Sequence, residues 1–276
     1  MVPSTGRAAV TARRFVQRAA VAYDRLRRPP DGLVVLIYHR VGGGTGSAVD
    51  LPAEVFAEQM ALLAATRAVV TLDAAVAALA AGSAPSGVVI TFDDGTPDFY
   101  EVAVPVLEAH GLPATLYAAT GPIDRGEPMP WGAPSASWSG LRAAVATGLV
   151  TVGSHTREHP LLDRLDREAV AAELDASIAS ITGELGIAPR HFAYPKAVPG
   201  NTAAEIEVRA RFASAAVAGN RVNTSGCDVH RLGRTPVHRA DSPAIFARKV
   251  GGGLRLEGAA RQVVARYRSM RERGLG

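Results

Sequence analysis

Between residues 33 and 250 the chain alternates apolar, β-branched runs with stretches of helical periodicity. Leu33-Val34-Val35-Leu36-Ile37-Tyr38-His39 predicts a strand, and Gly42–Gly46 a flexible loop. Residues 52–66 predict a helix with Phe56, Met60 and Leu63 on one face. A short strand is expected over 69–72, with Asp73 capping a helix over 74–81. Then follow a strand over 88–92, a helix over 99–110 and a strand over 114–118. A loop carrying Trp131 and Trp138 precedes a helix over 139–147. A strand ending at His155, a long helix over 167–185 and a strand over 192–194 complete the pattern, and Pro160 is expected to start a helix. Strands and helices in alternation imply repeated β-α units and a mostly parallel sheet. Polar groups at the C-terminal tips of several strands favour a closed or nearly closed α/β barrel.

The 47% apolar content suffices for a sizeable core, and no apolar run is long enough to cross a bilayer. Cys227 is the single cysteine, so no intrachain disulfide can form. No secretory leader is read at the N-terminus; the expectation is a cytoplasmic protein, or one peripheral to the membrane, rather than a secreted one.

The net charge of +4 is unevenly spread. Arg7, Arg13, Arg14, Arg18, Arg25, Arg27 and Arg28 crowd residues 1–32, and Arg255, Arg261, Arg266, Arg268, Arg271 and Arg273 crowd the C-terminus, which leaves the middle acidic. The expected organisation is a basic helical N-terminal extension over 1–32, one α/β domain over 33–254, and a basic C-terminal helix over 255–276. Contact of these ends with anionic membrane is one expectation. Nucleic acid is not expected as a partner, since no interleaved aromatic and basic residues occur.

Two strand tips carry the chemistry. Val88-Val89-Ile90-Thr91-Phe92 runs into Asp93-Asp94-Gly95, and Val150-Thr151-Val152-Gly153-Ser154 runs into His155-Thr156-Arg157-Glu158-His159-Pro160. Adjacent carboxylates repel, so a fold keeps both only where a cation or hydrogen-bond donors compensate. One carboxylate and two imidazoles can hold a divalent cation with a position open for water, and the spare carboxylate can act as a base. Zinc is the default for this donor set; Fe, Co, Ni and Mn suit it too. His39, at another strand tip, is a candidate acid, with His238 in reserve.

Thr91-Phe92-Asp93-Asp94-Gly95 and Ser154-His155-Thr156-Arg157-Glu158-His159-Pro160 resemble the first two motifs of the polysaccharide deacetylases, the NodB-homology or carbohydrate esterase 4 group. Phe192-Ala193-Tyr194-Pro195 looks like that group's third motif, and Leu36-Ile37-Tyr38-His39-Arg40-Val41 is similar to the opening of its circularly permuted, poly-N-acetylglucosamine deacetylase branch. The resemblance covers about residues 33–250. It implies a distorted (β/α) barrel of NodB-homology type that removes acetyl groups, N-acetyl foremost, from a carbohydrate. By the family pattern Asp93 matches the general base, Asp94, His155 and His159 the metal triad, and His39 the acid. Tyr194, Pro195 and the backbone N–H of Lys196 are the expected substrate and oxyanion contacts. The family's third motif has an arginine where Ala193 stands; Arg234 is the candidate to reach the base instead. Alternatives are deacetylation of a small acetylated sugar or other amide, and non-catalytic glycan binding on the same fold.

Overall fold

The computed structural model describes residues 16, 17, 19–83 and 85–258. The predicted terminal helices therefore lie largely outside the described residues; within them, 19–26 is helical and Arg25, Arg27 and Arg28 are exposed.

Seven parallel strands close into a barrel in the order β1-β4-β5-β6-β7-β8-β9: β1 Leu33–Tyr38, β4 Gly87–Asp94, β5 Ala114–Ala118, β6 Val150–Ser154, β7 His191–Ala193, β8 Ser214–Ala218 and β9 Leu232–Pro236. Two short strands, β2 Arg40–Val41 and β3 Asp50–Leu51, pair in the loop above β1. The helices are α1 Ala53–Thr66, α2 Leu72–Ala80, α3 Val104–His110, α4 Thr120–Arg125, α5 Trp138–Ala146, α6 Arg167–Leu185, α7 Thr202–Arg211 and α8 Pro243–Val250. α6 follows the predicted bounds and is capped by Asp166, whose side chain accepts from the Ala169 N–H at 2.9 Å.

Strand periodicity divides the molecule. Residues of one parity face outward under the helices: Tyr38 and Phe92 meet Phe56 of α1, and Phe92 also meets Phe99 beyond the strand, with ring centroids 4.9–5.8 Å apart. Phe56, Met60 and Leu63 are fully buried, as their spacing predicts, and each contributes about 1.5–3 kcal/mol by leaving water. The other parity forms a separate cluster, in which Leu33, Val35, Val89, Tyr117, Ala193, Ala216 and Leu232 meet Leu72, Ala75, Val76 and Leu79 of α2. Asp93, Arg234 and His39 continue this inward parity toward the C-terminal ends of their strands. Gly153 pairs with Tyr117 in register, and a Cβ at Gly153 would lie 2.8 Å from the Tyr117 ring, so glycine there makes room for the phenol.

Three local expectations are corrected. Residues 69–72 make no strand: Val69 forms one isolated bridge to Val88, beside the part of β4 that β5 does not reach, and α2 already begins at Leu72. Thr71, not Asp73, caps α2 by accepting from the Ala74 N–H at 3.2 Å, which leaves Asp73 to pair with Arg190. No helix starts at Pro160; a 3-10 turn at Leu162–Arg164 intervenes and α6 begins at Arg167. The chain before it is committed to shaping the site.

Candidate active site

Alternation along β4 would send Asp93 and Asp94 to opposite faces. Asp94 breaks the alternation with a left-handed φ of 79°, and Gly95 follows at 93°. The two carboxylates thereby reach one opening: His155 Nε2 lies 3.9 Å from Asp93 Oδ2 and 3.6 Å from Asp94 Oδ1. The ladder sets the height of the imidazole, since Asp94 pairs with Ala118, Ala118 pairs with Ser154, and His155 N–H donates to the Ala118 carbonyl at 2.9 Å.

His159 arrives by a turn rather than a helix. Thr156 and His159 both take left-handed φ values, 69° and 57°. Glu173 of α6 accepts from the N–H groups of Arg157 and Glu158, and Thr156 Oγ1 accepts from the His159 N–H at 3.0 Å. The amides of Thr120 and Gly121 in α4 donate to the carbonyls of Thr156 and Arg157. His159 Nε2 thus comes within 3.6 Å of Asp94 Oδ1. Together Asp94, His155 and His159 offer one oxygen and two nitrogens within 4.8 Å of one another.

The protonation states suit a cation. Burial, then the neighbouring His155 charge, lower His159 to about 3, so its imidazole is neutral and free to ligate. His155 Nδ1 lies 2.7 Å from the Ala193 carbonyl; an N–H there directs the Nε2 lone pair into the site. Burial pushes the Asp94 carboxyl up, a cost that a bound cation would offset. The residues present therefore fit a divalent ion of the zinc class.

Asp93 is held differently. Both Nη atoms of Arg234 donate to its carboxylate, at 2.6 and 2.8 Å, and Arg234 is fully buried. Burial alone would raise Asp93, but the guanidinium, aided by His155, lowers it to about 2. Thr91 Oγ1 accepts from Arg234 at 3.2 Å, and the Tyr117 ring lies under the guanidinium with its centroid 5.1 Å away. A bidentate arginine thus occupies the position next to the acid that Ala193 leaves without a charge.

His39 follows Tyr38, the register partner of Phe92, and so sits at the level of Asp93. Its Nδ1 is buried without a hydrogen-bond partner. His238 instead has its backbone N–H on Asp241 and its Nδ1 near the Pro236 carbonyl. Pro195 opens a 3-10 turn, and Lys196 and Ala197 take left-handed φ values of 53° and 54°. After burial and His155, the Lys196 charge adds to the lowering of His159. Tyr194 is corrected: its ring packs in the outer cluster with Phe192, Val208 and Phe212, so its phenol does not serve as a substrate contact.

Sequence reasoning missed Glu173, Thr156 and Thr91, polar residues whose partners are set by tertiary contact, and Trp131, whose ring centroid lies 5.0 Å from that of His159. The signal for Trp131 was a large aromatic in a Gly- and Pro-rich loop just before the histidine motif.

A family model described as polysaccharide deacetylase matches residues 81–214, which contain both the paired acids and the paired histidines. These residues form a polysaccharide deacetylase domain. Solved structures agree on the barrel, which is of NodB-homology type. IcaB from Ammonifex degensii is 29% identical with a TM-score of 0.70, over 81% of this chain and 97% of that one. The Streptococcus pyogenes deacetylase PplD, solved with acetate, is 20% identical with a TM-score of 0.71, over 80% of this chain and 99% of that one. A de-N-acetylase from Aggregatibacter actinomycetemcomitans is 20% identical with a TM-score of 0.68, over 79% and 100%. No curated protein matches the sequence significantly. The matched domain and the IcaB likeness support deacetylase activity on a carbohydrate.

Proposed function

We propose that this deacetylase removes N-acetyl groups from an amino sugar, with Asp93 as base and His39 as acid beside a divalent cation held by Asp94, His155 and His159. The convergence of two carboxylates and two imidazoles from β4 and the turn after β6 carries this reading. The catalytic unit spans 33–254, with the basic segments 1–32 and 255–276 flanking it.

A cation in this site would act as a Lewis acid on the acetyl carbonyl and acidify the attacking water. Asp93 takes the proton from that water. A carboxyl near 2 is a weak base toward bulk water, so what Arg234 confers is a fixed charge and orientation rather than basicity. The backbone N–H of Lys196 donates to the oxygen that becomes negative on attack. His39 gives its proton to the departing nitrogen, and acetate and a free amine result. The short path from the Ala193 carbonyl through the His155 ring keeps that imidazole from turning away during the cycle.

Acetate release from N-acetylated monosaccharides and oligosaccharides, with and without chelator, tests the reading. Release that stops with chelator and returns with added zinc or cobalt is expected. No acetate from any acetylated carbohydrate, with metal restored, would overturn it.

A further inference from the structure

Of the groups proposed to act in the reaction, Asp93 is gripped by Arg234, and the His155 ring is met by the Ala193 carbonyl. His39 has no such tie at Nδ1, which is buried without a hydrogen-bond partner among the described residues. The placement of its ring therefore falls to the backbone on either side. On the near side Tyr38 ends β1, paired in register with Phe92. On the far side the chain leaves the barrel as β2, and there one carboxylate holds it.

That carboxylate belongs to Asp98. Its Oδ2 accepts from the Val41 N–H at 2.7 Å, and its Oδ1 accepts from Arg40 Nε at 3.2 Å. Strand alternation creates the need. The N–H groups of Arg40 and Gly42 point to the β3 side and donate to the carbonyls of Val49 and Leu51. The Val41 N–H points the other way, where β3 cannot reach it. Val41 is fully buried, so an unpaired amide there would be costly.

Asp98 follows the paired acids closely in the chain and heads the π-helical turn Phe99–Ala103. An aspartate in such a place ordinarily accepts from its own helix. This one makes no side-chain cap; both oxygens reach across to the two residues after His39. Its backbone is itself fixed, since the Phe99 N–H donates to the Thr96 carbonyl at 3.1 Å and the buried Phe99 ring lies 4.9 Å from that of Phe92. Arg40 is confined as well: a Cβ at Gly43 would fall 2.5 Å from its Nη2.

We infer that Asp98 is a positioning residue for proton donation. It ties the segment after His39 to the segment after the paired acids, so that the imidazole and the carboxylates keep one spacing. This rests on the reading of His39 as the acid. Proton donation tolerates little displacement, because the donor must lie within hydrogen-bond reach of the departing nitrogen. The competing explanation is that Asp98 only satisfies a buried amide and steadies the loop.

A double-variant cycle separates the two. With an N-acetylglucosamine oligosaccharide, Asp98→Ala should lower kcat about 10–100-fold, the cost of a small misplacement, with little change in KM and a wild-type metal content. In a His39→Asn background the same change should have far less effect, because a positioning residue acts only through the group that it positions. Arg40→Met leaves the Val41 bond in place and should fall between wild type and Asp98→Ala; it carries the same cycle if the alanine variant does not fold. The loss in Asp98→Ala should also shrink on 4-nitrophenyl acetate, whose leaving group departs without a proton. Equal losses with and without His39, equal losses on both substrates, or a lowered metal content overturn the inference. His39→Asn with full activity refutes the acid reading, and the inference falls with it. A slow His39→Asn beside an unimpaired Asp98→Ala refutes the inference alone.

Discussion

Arg234 grips Asp93 with both Nη atoms across the interior of the barrel, from a strand 141 residues further along the chain. The pair is fully buried on the arginine side, so neither charge has water to fall back on. Replacing Arg234 by Met should destabilise the fold by about 3–5 kcal/mol, because it strands a carboxylate in the core. Adding Asp93→Asn to that variant should recover part of the loss, as urea denaturation of the single and double variants would reveal.

Asp93→Asn alone keeps the shape of the site and removes the proposed base. Turnover should fall about 10²–10⁴-fold. The metal content should stay at the wild-type level, since Asp93 is outside the proposed ligand triad. His155→Ala should lose metal and activity together. Elemental analysis beside an acetate assay distinguishes the two classes; a normal metal load in His155→Ala would exclude it as a ligand.

Glu173 holds the turn before His159 through two backbone N–H groups without reaching the triad itself. Glu173→Ala should weaken metal affinity about 10–100-fold, the range for residues that support ligands. Competition with a chromophoric chelator measures it. An affinity within twofold of wild type would show that the turn holds its shape without this carboxylate.

His191, at the opposite end of the barrel from the paired acids, gives a pH signature independent of any metal. Burial holds its pKa below the ordinary value, with Asp73 opposing in part. Below about pH 6.5 the unfolded chain binds a proton that the folded chain refuses. Stability should therefore be fully present above that pH and decline as pH falls toward the lowered folded value. His191→Asn should make this limb of a plot of melting temperature against pH shallower, the remainder belonging to His159, whose pKa is lowered as well, while the loss below about pH 4, where Asp93 and other paired carboxylates take up protons, persists.

The barrel and the four residues Asp93, Asp94, His155 and His159 were legible because a strand tip bearing charged groups after an apolar run is a local pattern. Arg234 was legible only as a candidate: nothing local in Leu232-Gly233-Arg234-Thr235-Pro236 names its partner, which the closure of β9 on β1 supplies. The Thr71 cap was misread because Asp73 is the stronger cap former by type, and only the fold shows it engaged with Arg190. Pro160 was misread because the turn around His159 is shaped by Glu173 and two left-handed residues, a tertiary arrangement with no signature in spacing. Tyr194 was taken for a site residue by motif, yet alternation past β7 turns its ring outward.

The hydrogen bond from His155 ends on the main chain of Ala193. A carbonyl of the backbone survives every exchange of the side chain attached to it, so the tautomer of that imidazole is insulated from mutation at 193. The side chain at 193 can thus be small without disturbing His155, and Arg234 of a distant strand supplies the charge beside Asp93.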